Sequence, residues 1–277
     1  RPVEENEVNE EFAERFLKGY KRNYHNISGA DFLYEYYKNK GNFEAAKHWL
    51  LEGWECSQMT HDKSPQRILL LRIIPRRLAE MGMLEEAREW AKKWEDKKEQ
   101  FIQIYPANAR RSPAFPYMEK NPYFGLEAFL LNSVFTWDTI GDKAKVDACI
   151  SEFLEFKEML KNNADPELLA GYRKIIEPET EHSCYEATWK VYTVLSARGH
   201  WEEAEWLLKR GINRMAWDRL FPLGVKQLFY LDIIQFYKEW HEAEPGKGQL
   251  EKIKLYQEKQ DAIEIQLAKW ETKENPK

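Results

Sequence analysis

Apolar residues recur along the chain at three- and four-residue intervals, set among acids, lysines and arginines, which is the pattern of amphipathic helices. Val8, Phe12, Phe16, Leu17 and Tyr20 keep that spacing and predict a first helix over about residues 4–24. Ser28 stands where an N-cap belongs, ahead of Phe32, Leu33, Tyr36 and Tyr37. A turn at Lys40–Gly41 then leads to Phe43, Ala46, Leu50 and Leu51, giving a helical hairpin over about 28–60. The alternation repeats and predicts further hairpins over about 64–105, 121–162, 181–216 and 220–273. Within the second, Ser64–Pro65 opens a helix with proline in its first turn, Pro75 predicts a kink, and one long helix is expected from Leu84 toward Ile104. A shorter helix is expected near Asp165–Pro166. No run alternates with the two-residue period of a strand. The expected fold is therefore all-α, one helical-repeat domain over residues 1–277.

Three turns share more than a glycine. Gly41-Asn-Phe-Glu-Ala-Ala46, Gly82-Met-Leu-Glu-Glu-Ala87 and Gly199-His-Trp-Glu-Glu-Ala204 all read G-x-(large apolar)-E-x-A. Glycine ends the first helix in a conformation other residues resist. The apolar residue two positions later is expected to staple the next helix, and the small alanine lets the two helices approach. Gly141-Asp-Lys-Ala-Lys-Val146 and Gly248-Gln-Leu-Glu-Lys-Ile253 keep the glycine and lose parts of the rest.

This pattern resembles the tetratricopeptide repeat family, with Tyr34, Tyr37, Tyr192 and Leu195 fitting its first-helix packing positions. The resemblance implies a right-handed α-solenoid of antiparallel hairpins whose first helices line a concave groove for a protein or peptide partner. The turn glycines lie 41, 59, 58 and 49 residues apart, longer than the family's spacing of about 34, so the units carry extended helices or insertions. Members that clamp a C-terminal carboxylate use basic and amide residues on successive first helices. The corresponding positions here hold Asp31, Glu35, Ile73 and Lys190, which do not make that clamp.

Composition narrows the classes of partner. The chain has 277 residues and a formal charge of −5, with both signs mixed along the helices, so binding of nucleic acid by a basic face is not expected. The longest apolar run, Ile68–Ile74, is broken by Arg72 and stopped by Pro75, far short of a membrane span. Eleven Trp, 14 Tyr and 14 Phe require an aromatic core and some surface aromatics. Cys56, Cys149 and Cys184 lie far apart and read as small buried hydrophobes rather than metal ligands or a disulfide framework. The first residue is Arg1, from which a processed chain, exported or delivered to an organelle, is the expectation.

The candidate partner-binding residues fall in two places. Arg72, Arg76 and Arg77 lie on the first helix of the second hairpin, where the family's groove would be, and suit an acidic segment or a carboxylate. The proline-rich stretch Tyr105–Tyr123 offers Arg110, Arg111, Phe115, Tyr117 and Tyr123 as contact anchors on a long connection. The plainer alternatives are a solvated helix face for the first and a packed linker for the second. Lys209, Arg210, Arg214 and Arg219 form a further basic set, and Glu177, Glu179, Glu181 and His182 an acidic connection that reads as a solvated loop. Trp49, Trp54, Trp90, Trp94, Trp189, Trp201 and Trp206 keep helical spacing and read as core, with an aromatic ligand cavity as the alternative.

No nucleophile elbow, phosphate loop, zinc-protease or dinucleotide motif occurs, the six histidines are scattered, and a single E-x-x-H (Glu179–His182) makes no di-iron site. The lone sequon Asn26-Ile-Ser28 is what chance gives. The expectation is a non-catalytic scaffold or assembly subunit without cofactor or metal, a component of a larger complex. Two alternatives stand beside it: a helical ligand-binding or regulatory domain, and an α/α-toroid-type enzyme acting on glycans through paired carboxylates in a Trp-lined pocket.

Overall fold

The computed structural model describes residues 5–59, 65–104, 121–176, 185–217 and 223–274. Thirteen α-helices and no strand occur among the described residues: α1 (Glu5–Gly19), α2 (Ile27–Asn39), α3 (Phe43–Gln58), α4 (Pro65–Glu80), α5 (Leu84–Glu95), α6 (Lys98–Ile104), α7 (Pro122–Ile140), α8 (Lys143–Asn162), α9 (Pro166–Ile176), α10 (Tyr185–Ser196), α11 (Trp201–Trp217), α12 (Leu223–Ala243) and α13 (Gln249–Glu274). They form two compact units, Arg1–Tyr172 and Arg173–Lys277.

In the first unit α2 pairs with α3, α4 with α5 and α7 with α8, and consecutive hairpins pack in chain order: α3 on α4, then α4 and α5 on α7. In the second, α10 pairs with α11 and α12 with α13, with α11 against α12.

Four of the turns are built alike. At the first, Gly41 has φ +72°, its N–H donates to the Lys38 carbonyl at 2.9 Å, and the Asn42 N–H donates back to Tyr37 at 3.0 Å. That pair of bonds satisfies the last carbonyls of α2 and needs a left-handed residue, which glycine adopts without a Cβ clash. The bonds from Met83 to Leu78, Asp142 to Trp137 and His200 to Leu195 repeat it at the later turns. The Gly141 turn keeps this geometry although Lys143 and Val146 replace the usual residues.

Ala46, Ala87 and Ala204 are fully buried, as small residues at a close helix contact should be. The stapling expectation is corrected for two turns: Phe43 and Leu84 are 42% and 39% exposed. Each is the first residue of its helix, after the N-caps Asn42 and Met83, and so lies two positions past the residue before the N-cap, the place that staples a helix start. Trp201, at the third, packs against Trp240 and Phe236.

Three boundaries differ from the periodicity. α1 stops at Gly19 rather than about residue 24, and the chain runs non-helical to Asn23. The earlier stop lets the Tyr20 hydroxyl reach Glu52 at 3.1 Å and Arg22 clasp the same carboxylate, with its Nε at 2.6 Å. Ser28 lies inside α2, whose N-cap is Asn26. The helix expected from Leu84 to Ile104 breaks at Asp96–Lys97. In an unbroken helix Trp94 and Phe101 would stand about 10 Å apart along the axis; the break brings their rings to 4.7 Å, edge to face. Pro75 sits inside α4, which runs unbroken through it.

The core of the first unit is α7, buried on nearly every side from Phe124 to Trp137. Two of its polar groups are bonded across to α5: the Trp94 indole donates to Ser133 at 3.2 Å and the Trp137 indole to Glu95 at 2.9 Å. In the second unit Glu205 of α11 ties the hairpins together, accepting from Tyr237 at 2.9 Å and pairing with Lys209 and Lys252. Burial opposes its charge, but the bonds from Lys252, Tyr237 and Lys209 outweigh that and hold the carboxyl below the usual glutamate range.

Candidate functional site

The three arginines of α4 have different surroundings. Arg77 lies over the Tyr34 ring and pairs with Asp31 and, at 3.4 Å, with Glu35. Lys38 extends the lattice to Glu35 at 3.3 Å and Glu80 at 3.5 Å. The α2–α4 face is thus a set of mutually paired charges. Arg76 is only 5% exposed, with its guanidinium over the Phe135 ring, where it serves the α4–α7 contact. Arg72 is half-buried, its Nε without a hydrogen-bond partner among the described residues.

Arg110, Arg111, Phe115 and Tyr117 lie outside the described residues. Tyr123 lies in the first turn of α7, its ring 6.4 Å from both Phe156 and Tyr172 and its hydroxyl accepting from the Asp165 N–H at 3.1 Å. It joins α7, α8 and α9. Of the other basic set, Lys209 pairs with Glu205 at 3.1 Å, while the side chains of Arg210 and Arg214, and Arg219 entirely, lie outside the described residues, as do Glu177, Glu179, Glu181 and His182. Trp49 and Trp94 are buried, Trp54 packs edge to face on Trp90 at 5.4 Å, and Trp189 on Phe229 at 4.4 Å.

Two of the cavities among the described residues accompany these surfaces. One of about 350 Å³ lies along α3, lined by Arg22, Lys47, His48, Glu52 and Glu55 among others. Its charges are largely engaged: Arg22 with Glu52, and Lys47 with Glu86 at 2.6 Å.

The other, about 300 Å³, lies in the second unit between α10, the start of α11 and α12. Tyr192, Trp201 and Phe236 form its aromatic floor, with Tyr192 and Phe236 at 5.9 Å edge to face. Asp232, Gln235 and Glu239, one turn apart along α12, supply its polar side, and no basic residue lines it. The hydroxyls of Thr193 and Ser196 are turned back to backbone carbonyls at 2.7 and 3.1 Å, and Gln235 donates to Glu239 at 2.8 Å. Asp232 has no hydrogen-bond or ion-pair partner among the described residues. The apolar ground around it holds its carboxyl above the ordinary aspartate range. Burial, and then the charges of Asp232 and Glu239, push the Tyr192 phenol up as well.

The stripe continues past the cavity. Leu228 and Leu231, one turn before Asp232 and Gln235 on the same side of α12, are 63% and 43% exposed. The sequence reading did not single out Asp232, Gln235, Glu239, Leu228 or Leu231. The signal available was Asp232 itself, a lone acid inside the run Leu231-Asp-Ile-Ile234.

Among the described residues no group of three or more His, Cys, Asp or Glu side chains is placed to hold a metal ion, and no helix is long and apolar enough to cross a membrane. A scan against protein-family models and searches of curated proteins and of solved structures found no match to the chain.

Proposed function

We propose that the chain is a non-catalytic helical-repeat scaffold that binds a protein or peptide partner across the exposed face of α12 and its cavity, with its hairpins wound within each unit as degenerate tetratricopeptide-like repeats of a right-handed solenoid. The four equivalent Gly turns and the stacking of hairpins in chain order support the repeat reading. The observation that carries the binding reading is the stripe on α12: two water-exposed leucines on successive turns that run into an aromatic-floored cleft. Single exposed leucines are ordinary, but apolar side chains contiguous with a cleft form the kind of patch a partner covers.

The cavity itself favours a second reading, a small ligand seated on the three rings. Affinity capture of the tagged full chain from its native extract separates the two. A protein that co-purifies in stoichiometric amount with the wild type and is lost with Leu228→Ser/Leu231→Ser supports the scaffold reading. A clean monomer that instead takes up a small molecule in saturable fashion supports the second.

A further inference from the structure

The cavity between α10 and α12 combines three features that select one chemistry. Its floor is three aromatic rings, Tyr192, Trp201 and Phe236. Its charged lining is wholly acidic, Asp232 and Glu239, with no Lys, Arg or His. Asp232, exposed on α12, has no ion-pair or hydrogen-bond partner among the described residues, whereas the more buried carboxylates Glu52, Glu95 and Glu205 each have a cationic partner. Asp232 keeps water in the free protein, and a segment that covers it must supply an opposite charge or hydrogen bonds to offset the desolvation it imposes. A cation over aromatic faces gains from the ring quadrupole as well, and the planar guanidinium of arginine adds stacking and two parallel bonds to a carboxylate.

We propose that this cavity receives a basic side chain, arginine ahead of lysine, from a partner segment that also places an apolar side chain on Leu228 and Leu231. This rests on the reading of the α12 face as the partner-binding surface. The spacing makes the segment specific. Leu228 and Asp232 are four residues apart on α12, a rise of about 6 Å. Alternate side chains of an extended peptide project from one face about 6.6 Å apart. The partner segment is therefore extended and carries a basic and an apolar residue two positions apart, in either order. The uncompensated acid also rejects an acidic segment, so charge gives selectivity as well as attraction.

The test is a phage-displayed library of random dodecapeptides selected on the immobilised full-length protein, with Asp232→Asn/Glu239→Gln and Leu228→Ser/Leu231→Ser selected in parallel. Circular dichroism melts show that each variant folds. The expected result is enrichment of Arg, and less of Lys, two positions from Leu, Ile or Phe. The best peptide should bind the wild type at least tenfold more tightly than the Asn/Gln variant and lose affinity to the Ser/Ser variant too. Peptides enriched without a basic residue, or basic peptides bound equally by the Asn/Gln variant but lost from the Ser/Ser variant, overturn the inference and leave the binding face standing. If no peptide is enriched, or enriched peptides bind both variants as well as the wild type, the binding reading of the face falls and the inference with it.

Discussion

Trp94 and Phe129 stack with ring centroids 4.7 Å apart and planes inclined by 22°, joining α5 to the buried helix α7. Phe101, turned back by the break at Asp96–Lys97, packs on Trp94 edge to face, and the indole N–H donates to Ser133. One side chain thus holds α5, α6 and α7 together. Trp94→Ala should cost about 3–5 kcal/mol in unfolding free energy, as large-to-small changes of a fully buried aromatic do. Trp94→Phe, which keeps a ring and leaves Ser133 unpaired, should cost less. Urea unfolding followed by circular dichroism measures both.

Two glycines make opposite predictions. A Cβ on Gly125 would lie 2.5 Å from the Ile102 carbonyl oxygen and 2.9 Å from the Ile102 Cα, so α6 and α7 meet backbone to backbone there. A Cβ on Gly53 would meet only the Ala30 Cβ, at an ordinary 3.5 Å. Replacing a mid-helix glycine by alanine gains up to about 1 kcal/mol from propensity where space allows. Gly53→Ala should therefore raise the melting temperature and Gly125→Ala lower it. Equal effects would mean that the α6–α7 approach is looser than described.

The Arg22 guanidinium holds the Glu52 carboxyl below the usual glutamate range, with the Tyr20 hydroxyl adding to the effect. A depressed folded-state value means stability that is present above the unfolded value, about 4.3, and lost as pH falls through the folded one. Glu52→Gln should lower the melting temperature at pH 7, and the gap to wild type should close as pH falls below the unfolded value and through the depressed folded one. Melts across that range check it; a gap constant with pH would show that the ion pair carries none of the linkage.

Burial, with the charges of Glu95 and Glu152 adding to it, pushes the Cys149 thiol up to about 12. Since the thiolate is the nucleophile, Cys149 should resist iodoacetamide at pH 8 in the native protein and react at once in guanidinium. Peptide mapping after timed alkylation reads this. Rapid native labelling of Cys149 would contradict the packing of α8.

The hairpins were legible because each rests on a local code: apolar residues at helical spacing, closed by a glycine that ends the helix. The Gly141 turn needed no alanine, which shows how much of that code is backbone. The break after Glu95 and the early stop of α1 were not legible, since both are set by contacts formed only in the fold: Trp94 with Phe101, and Tyr20 and Arg22 with Glu52. Arg76 and Arg77 looked like a solvated or partner-facing set. Their partners Phe135, Asp31 and Glu35 lie more than 40 residues away in the chain, so sequence spacing gave no hint of their pairing. The α12 cavity was hidden for the same reason, because Trp201 and Asp232 become neighbours only when α11 packs on α12.

The most direct measurement is hydrogen–deuterium exchange of the full chain with and without the captured partner. The account predicts slowed exchange over residues 190–201 and 226–240, the helices that line the cavity and its leucine stripe, with little change along α3, α5 and α8. Protection confined to α3, α5 or α8, with α12 unaltered, would contradict it.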